Sequence, residues 1–285
     1  MSTIKNSKKL KSFYILNILK YFSLIFWAFI TVAPLVVILF GAFKTNNELL
    51  TTNVLKSPSS FFNFSNFITA WKKGNMAVGF MNTAIILAVS ITATILTGTM
   101  TAYVLSRFKF RAKTLIKSLF LLASLIPSIT MQMSTFQIIV GLGLYNTRWS
   151  TILLFAGTDI ISIYIFLQFL NSISYSLDES AIMDGASFPR VFFSIIFPLL
   201  KPAIVTVIII KGIGYYNEFY TPYLYMKKPS LAVISTSLYA FKGPYGTQWE
   251  VICAACIITM IPTLIIFLLL QKHIYSGLTL GSVKG

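Results

Sequence analysis

Three ionisable residues lie inside long apolar stretches of this sequence. Lys211 and Glu218 are seven residues apart, so they share a helix face but are about 10 Å apart along its axis and cannot pair directly. Asp159 lies in the preceding apolar stretch. Ionisable groups at such positions usually face a bundle interior or a water-filled cavity, which suits binding or conduction. The alternatives are a place near a membrane interface and a structural pairing with a neighbouring chain.

Other reactive residue types do not form a catalytic set. The sequence has one histidine, His273, and two cysteines, Cys253 and Cys256, which are too few for a zinc site with about four ligands. We interpret the cysteines as small packing residues. The G-x-x-x-x-G-K-[ST] phosphate loop does not occur in the sequence. We therefore predict that this chain is not an enzyme, has no catalytic or metal-binding residue and holds no cofactor.

A compact polar segment, 176–198, stands between two apolar stretches. Ser176 followed by Glu179 predicts a capping box at a helix start. Gly185 supplies the left-handed position that ends a helix, and Ser187 with Pro189 predicts the start of a second one. The segment is therefore expected to form a helix, a bend and a helix, although an ordinary capped loop would have the same signals.

The composition determines which elements surround that segment. The chain is 56% hydrophobic and 11% charged, whereas soluble domains are about 45–50% apolar and 25% charged. We predict an all-α polytopic membrane protein, because each long apolar stretch reaches or exceeds the ~20 residues that cross a bilayer. The six predicted spans are 21–43, 80–105, 115–140, 150–170, 202–226 and 251–271.

The remaining segments follow from these spans. We predict a basic lead over 1–20, a six-helix domain over 21–271 and a tail over 272–285, with a polar loop at 171–201 and opposite loops at 44–79 and 227–249. Fourteen basic residues fall on the side of the polar loop and both termini, and eight on the other. The positive-inside rule makes the first side cytoplasmic. The net charge of +16 flanks lipid spans, which favours anchoring to anionic headgroups over nucleic-acid binding.

The polar loop resembles the EAA loop of bacterial ABC importer permeases, with departures at Ser180 and Phe197. The matching positions are Glu179, Ala181, Gly185, Ile195 and Pro198. The resemblance implies a type I importer permease in which this loop docks on an ATPase subunit. Asp184 and Ala186, beside the loop glycine, are then also expected at the ATPase contact.

Other stretches are similar to the sugar-importer branch of that family. Asn82 with 102–110 and the aromatic-Asn-acid stretch in the fifth span are two of them. The resemblance implies a translocation path lined by Lys211, Tyr215, Tyr216, Asn217, Glu218 and Tyr220. The ending 277–285 resembles the second permease of maltose-type importers. It implies that the tail contacts the ATPase dimer through Gly281, Val283, Lys284 and Gly285.

The expected function is that of a permease subunit of an ATP-driven oligosaccharide importer in a bacterial plasma (inner) membrane. The resemblance implies a second homologous permease in a heterodimer, two ATPase subunits that hold ATP and Mg, and an extracytoplasmic sugar-binding protein. One alternative is a secondary transporter or channel subunit that uses Lys211, Glu218 and Asp159 as coupling-ion groups. Another is an ABC permease for a non-sugar solute.

Overall fold

The computed structural model describes residues 2–157, 159–243 and 246–280. Side chains are described for 17–127, 129–157, 159–243, 247–269 and 271. Within these ranges the chain is helical apart from loops and one antiparallel pair of two-residue strands, β1 Lys242–Gly243 and β2 Gly246–Thr247. The predicted all-α class is confirmed.

The α-helices are numbered in chain order. The first eight are α1 Ser2–Phe43, α2 Asn46–Thr51, α3 Ser65–Lys73, α4 Met76–Arg107, α5 Lys113–Ser124, α6 Gln132–Gly141, α7 Arg148–Ala156 and α8 Ile160–Ser172. The others are α9 Ser176–Met183, α10 Phe188–Val191, α11 Phe197–Leu199, α12 Lys201–Asn217, α13 Tyr220–Tyr225, α14 Ile234–Ser237 and α15 Trp249–Leu280. Four shorter helices complete the described chain, three of 3₁₀ type at Ser128–Met131, Pro229–Leu231 and Leu238–Phe241 and one π-helix at Phe192–Ile196.

Four stretches of the described chain are long and apolar enough to cross a membrane: Asn17–Phe43, Met76–Arg107, Arg148–Ser172 and Trp249–Leu269. Two bent helix pairs raise the number to as many as six, Lys113–Ser124 with Ile129–Gly141 at 89° and Phe188–Leu199 with Lys201–Asn217 at 69°. The predicted fifth span over 202–226 needs correction, because α12 ends at Asn217 and α13 begins only at Tyr220. The fourth span is also broken, between α7 and α8.

The chain forms two compact units. The first comprises Met1–Gly74 and Ala240–Met260, and the second comprises Asn75–Tyr239 and Ile261–Gly285. In the first unit the end of α1 is held by side chains from the loop that follows it. The Asn66 amide donates to the carbonyls of Ala42 and Lys44, and the fully buried Lys44 ammonium donates to Thr52 Oγ1 and to the Asn53 carbonyl. These bonds satisfy backbone acceptors that a helix end leaves without partners.

The second unit is built around α4, which packs against α7, α8 and α12. Small residues at Thr94, Gly98 and Ala102 form a stripe on α4 that lets a neighbouring helix approach closely. A Cβ atom on Gly98 would lie 3.1 Å from the Phe166 ring of α8, which shows how tight that approach is. The principal core cluster of this unit contains Phe166 and extends to Phe192 in the polar loop. The polar loop is therefore packed on the same core as the apolar helices.

A second anchor lies at the start of α4. The buried Asn82 amide donates to the carbonyls of Ser230 (3.0 Å) and Ala232 (2.8 Å), and its Oδ1 accepts from Arg148 Nε at 2.8 Å. One side chain thus joins α4, the first residue of α7 and the loop before α14.

Candidate functional site

The first arm of the polar loop, α9, ends in a Schellman motif. The N–H of Gly185 donates to the carbonyl of Ile182 (2.9 Å), and that of Ala186 donates to the carbonyl of Ala181 (2.9 Å). Gly185 has φ +86°, a conformation that suits glycine because it has no Cβ atom. The predicted bend at Gly185 is confirmed, and the backbone groups of Ala181 and Ala186 take part in it.

The start of α9 differs from the prediction. Ser176 is the first helical residue, Tyr175 occupies the cap position, and no side-chain hydrogen bond caps the helix. The Ser176 hydroxyl instead lies 2.7 Å from that of Ser174, whose oxygen accepts the N–H of Ser176. The predicted capping box of Ser176 and Glu179 is therefore wrong, because the chain enters the helix one residue earlier and Ser174 takes the local bond.

The second arm runs through α10, the π-helix and α11, and then turns into α12. Pro189 and Pro202 occupy the second positions of α10 and α12, where a missing N–H costs no helical hydrogen bond. Pro198 lies in α11, which continues directly from the π-helix, so its missing N–H falls inside the helical run Phe188–Leu199. Phe188 packs on Phe108 at the end of α4, with 5.2 Å between ring centroids.

The loop has a buried base formed by an ion pair. Arg107 Nε, at the end of α4, lies 3.1 Å from Asp178 Oδ2 in α9, with side-chain exposures of 8% and 4%. The Tyr103 hydroxyl donates to Asp178 Oδ1 at 3.0 Å. The Arg107 Nη2 group donates to the Ile173 carbonyl at 3.0 Å, and its guanidinium lies 5.5 Å from the centre of the Tyr175 ring. A buried charge is tolerated when it is paired and hydrogen-bonded in this way, so α9 is firmly attached to α4.

The residues predicted to contact an ATPase are divided between this base and the exposed side of the loop. Ala181 is buried, and Ala186 and Ile195 are half-buried. Glu179, Asp184, Gly185 and Pro198 are exposed. Apolar side chains are exposed beside them, notably Met183 at 87%. A cavity of about 740 Å³ opens next to the base and is lined by Arg107, Lys113, Asp178, Glu179 and Phe188, among others.

The predicted path residues form a second polar cluster. Lys211 Nζ lies 2.7 Å from Asp159 Oδ2, with side-chain exposures of 16% and 11%. Asp159 also accepts a hydrogen bond from the Ser162 hydroxyl. The Tyr215 hydroxyl donates to the Phe155 carbonyl at 2.7 Å, and the two rings stack with centroids 4.2 Å apart. Lys211 therefore pairs with the preceding span and not along its own helix.

The other predicted path residues have local roles. Glu218 Oε1 accepts the N–H groups of Tyr220 (2.9 Å) and Thr221 (3.1 Å), so this carboxylate caps α13. The Asn217 amide donates to the Ile213 carbonyl, and the Tyr220 hydroxyl donates to Gln132 Oε1. Tyr216 lines an apolar cavity of about 200 Å³. The structure thus brings Lys211 and Tyr215 together with α7 and α8, whereas Glu218 belongs to a helix cap.

Two further predictions concern the C-terminal tail and metal binding. The predicted tail contacts Gly281, Val283, Lys284 and Gly285 lie outside the described residues, and α15 continues as helix to Leu280. Among the described residues, no group of three or more His, Cys, Asp or Glu side chains could hold a metal ion.

Sequence reasoning did not select Arg107, Tyr103 or Asp178 as site residues. Asp178 directly precedes Glu179, but the family resemblance drew attention to the exposed neighbour. A detectable signal was present, since an acidic residue one position before the motif and a basic residue at the end of a span invite a pairing. The contact joins residues 71 positions apart, which no local spacing rule predicts.

Comparisons with known proteins identify the family of this chain. The family model described as the binding-protein-dependent transport system inner membrane component matches residues 94–279, which is well over half of the chain. The chain belongs to this family. It is accordingly a membrane permease component of an ABC importer and not an enzyme, and ATP hydrolysis lies on separate subunits. Its transport system also includes a substrate-binding protein and a permease partner.

Curated relatives extend the match to almost the whole permease. The galactooligosaccharides transport system permease protein GanQ of Bacillus subtilis is 31% identical over 274 residues, covering 95% of this chain and 97% of the relative. The probable ABC transporter permease protein YurM of the same organism is 34% identical over 253 residues, covering 88% and 83%. A chain from the crystal structure of a bacterial ABC transporter for import of the acidic polysaccharide alginate has the same fold. Its TM-score is 0.80 at 19% identity, with coverage of 90% of this chain and 96% of that one.

Proposed function

We propose that this permease carries a sugar of the oligosaccharide class and that its polar loop, 171–201, couples ATPase closure to alternating access. The proposal for the sugar is supported by the names of relatives such as GanQ and the melibiose/raffinose/stachyose import permease protein MelC of Bacillus subtilis, which is 28% identical over 256 residues. The coupling role of the loop is supported by its structure. Its exposed side can contact a partner, and its opposite side is held on α4 by the buried pair of Asp178 and Arg107.

A coupling element must present a surface to its partner and transmit force to the helices. The exposed side of the loop offers Glu179, Asp184 and the apolar Met183. Exposed apolar groups with a polar rim are characteristic of interaction sites. The opposite side is fixed to α4 by the Asp178–Arg107 pair and by Tyr103. A force on the exposed side is thus delivered to α4, and through α12 to the membrane domain.

We further propose the partners and topology that this mechanism requires. The permease forms a heterodimer with a second, homologous permease, and two ATPase subunits hold the ATP and Mg. One ATPase subunit receives the loop, through Glu179, Asp184, Gly185 and Pro198, with Ala181, Ala186 and Ile195 shaping it from within. The tail residues Gly281, Val283, Lys284 and Gly285 contact the ATPase dimer. Both termini then lie in the cytoplasm, and the sugar-binding protein docks on the opposite face.

The translocation path is proposed along α12 and α13. Asn217 and Tyr220 are exposed in the single chain, and Tyr220 presents an aromatic ring with a polar tip, which suits a sugar. Glu218 caps the helix that begins at Tyr220, Tyr215 fixes α12 to Phe155, and Tyr216 lines the apolar cavity. Lys211 and Asp159 neutralise each other, which disfavours a role as free coupling-ion groups in a secondary transporter.

The loop can be tested at Gly185 with a matched control elsewhere. Gly143, after α6, has φ +70° and occupies the same position of a second Schellman motif, with N–H bonds from Gly143 to Val140 and from Leu144 to Ile139. A Cβ atom meets nothing within 4 Å at either glycine. Valine therefore imposes a similar backbone penalty at both sites, on the order of 1–2 kcal/mol.

We expect Gly185→Val to lower sugar uptake at least tenfold in proteoliposomes and to weaken retention of the ATPase subunits during purification. Gly143→Val should leave both measurements within about twofold of the wild type. Equal effects of the two variants, or unchanged uptake with Gly185→Val, would contradict the coupling role. The substrate class is tested separately, by measuring whether a panel of sugars with their binding protein stimulates the ATPase activity of the intact complex.

A further inference from the structure

The ion pair between Asp159 and Lys211 stands where the fourth span is interrupted. Helix α7 ends at Ala156 and α8 begins at Ile160, so the last carbonyls of α7 have no partners within the helix. Within the hydrocarbon region such groups need other donors. The Tyr215 hydroxyl of α12 bonds the Phe155 carbonyl at 2.7 Å, and the Thr94 hydroxyl of α4 approaches it at 3.4 Å. Helix α12 therefore bonds one of these carbonyls through Tyr215 and pairs with the Asp159 side chain at the break through Lys211.

The position of the pair relative to the polar loop is set by helix geometry. Asp159 precedes the end of α8 at Ser172 by 13 residues, or about 20 Å of helix, and Lys211 follows the start of α12 by 10 residues, or about 15 Å. The pair therefore lies near the middle of a hydrocarbon core about 30 Å thick. Helices α8 and α12 are also the two that leave the loop, one on each side. They are joined at the loop and joined again at the pair.

Between these two joints the helices share one packed core. Phe166 and Leu170 of α8 and Ala203 and Val207 of α12 are buried in the same cluster. Because α8 and α12 are joined at the loop and at the pair and are packed together between these points, they have little freedom to slide past each other. A force on the loop then moves α8 and α12 as one body, provided that the pair stays closed.

We infer that Asp159 and Lys211 are positioning residues that form a latch, closed throughout the transport cycle, which makes α8 and α12 move as a single lever. The inference rests on the proposed coupling role of the loop. That role is tested by the Gly185 and Gly143 variants, which do not touch the latch. If the coupling role fails, Gly185→Val lowers uptake no more than Gly143→Val does. If only the latch fails, Gly185→Val still lowers uptake at least tenfold.

The first experiment tests whether the latch depends on attraction between the charges of residues 159 and 211. Asp159→Asn with Lys211→Met removes both charges without leaving one unpaired, and Asp159→Lys with Lys211→Asp restores the pair in reverse. We expect both double variants to retain the partner subunits on purification. Sugar moved per ATP hydrolysed should fall at least fivefold in the neutral variant and return to within twofold in the reversed one. An unchanged ratio in the neutral variant, or no recovery in the reversed one, would overturn the latch.

A second experiment tests whether the latch stays closed, and it applies even if the charge variants fail to assemble. Asp159→Cys with Lys211→Cys, in a chain carrying Cys253→Ser and Cys256→Ser, is joined by a short thiol-to-thiol cross-linker in the assembled importer. A latch that stays closed predicts that cross-linking restores coupled uptake relative to the untreated protein. A contact that must open in every cycle predicts that cross-linking blocks uptake. For the charge variants of the first experiment, Ser162→Ala in the otherwise unchanged chain serves as the matched control, because it removes a hydrogen bond to Asp159 but keeps the pair.

Discussion

The two ion pairs among the described residues of the second unit are held in different ways. Asp178 and Arg107 are almost fully buried, and the pair is supported by the Tyr103 hydroxyl, the Ile173 carbonyl and the Tyr175 ring. Asp159 and Lys211 are closer, at 2.7 Å, but more exposed, and Asp159 has support from Ser162. The first pair is a joint fixed by several directional contacts. The second depends mainly on attraction between two charges, so it should respond to charge more than to shape.

The largest effect is expected from Arg107→Ala. It removes the ion pair, the bond to Ile173 and the contact with Tyr175, and it leaves Asp178 buried without a counter-charge. Breaking a buried pair in this way costs about 3–5 kcal/mol. The free energy of unfolding in detergent should fall by that amount. Lys109→Ala removes an exposed positive charge two residues later and should change it by less than about 0.5 kcal/mol. Comparable losses in the two variants would mean that the base of the loop is not a specific joint.

Lys211→Met should have a smaller effect on stability. Asp159 keeps its bond from Ser162 and is less deeply buried than Asp178, so we expect a loss of roughly 3 kcal/mol or less. The same unfolding measurement applies, with Lys201→Met as the control at an exposed position at the start of α12. A loss larger than that of Arg107→Ala would reverse the comparison between the two pairs.

Removing the hydroxyl group of Tyr103 or of Tyr215 should give the smallest losses of stability. The two losses compare a hydrogen bond to a charged group with one to a neutral group. Tyr103→Phe deletes a bond to a charged group, worth about 1.5 kcal/mol at the low end of its range. Tyr215→Phe deletes a bond to a neutral carbonyl, worth about 1 kcal/mol or less, and leaves its stacking on Phe155 in place. Thermal unfolding of the two variants in parallel measures the difference. Equal losses would indicate that the charge on Asp178 adds nothing to the bond it accepts.

Much of this molecule could be predicted from its sequence because local rules govern it. Runs of apolar residues located the four stretches that can span a membrane and fell in the two bent helix pairs, and glycine at 185 located the bend in the loop. In each case a short stretch of chain carries the whole signal, since the helix period and the left-handed preference of glycine act within a few residues.

The parts that could not be predicted depend on contacts between distant residues. Lys211 was compared with Glu218 because both lie in one span, whereas its partner Asp159 is 52 positions away. The capping box failed because Ser174, just outside the pattern, competes for the same backbone. Gly157 and Asp159 within an apolar run were a usable sign of the broken fourth span. Only the fold shows that α12 contacts both sides of that break, through Tyr215 and Lys211.

The π-helix Phe192–Ile196 has a consequence for the length of the chain. It contains the wide turn in which the N–H of Phe197 donates to the carbonyl of Phe192, five residues back. Deleting one residue there would restore ordinary α-helical spacing and rotate the following segment by about 100°. That rotation would carry the face of α12 that bears Lys211 away from Asp159. Between Ser187 and Leu200, natural variants should therefore keep the same number of residues even where their residue types differ.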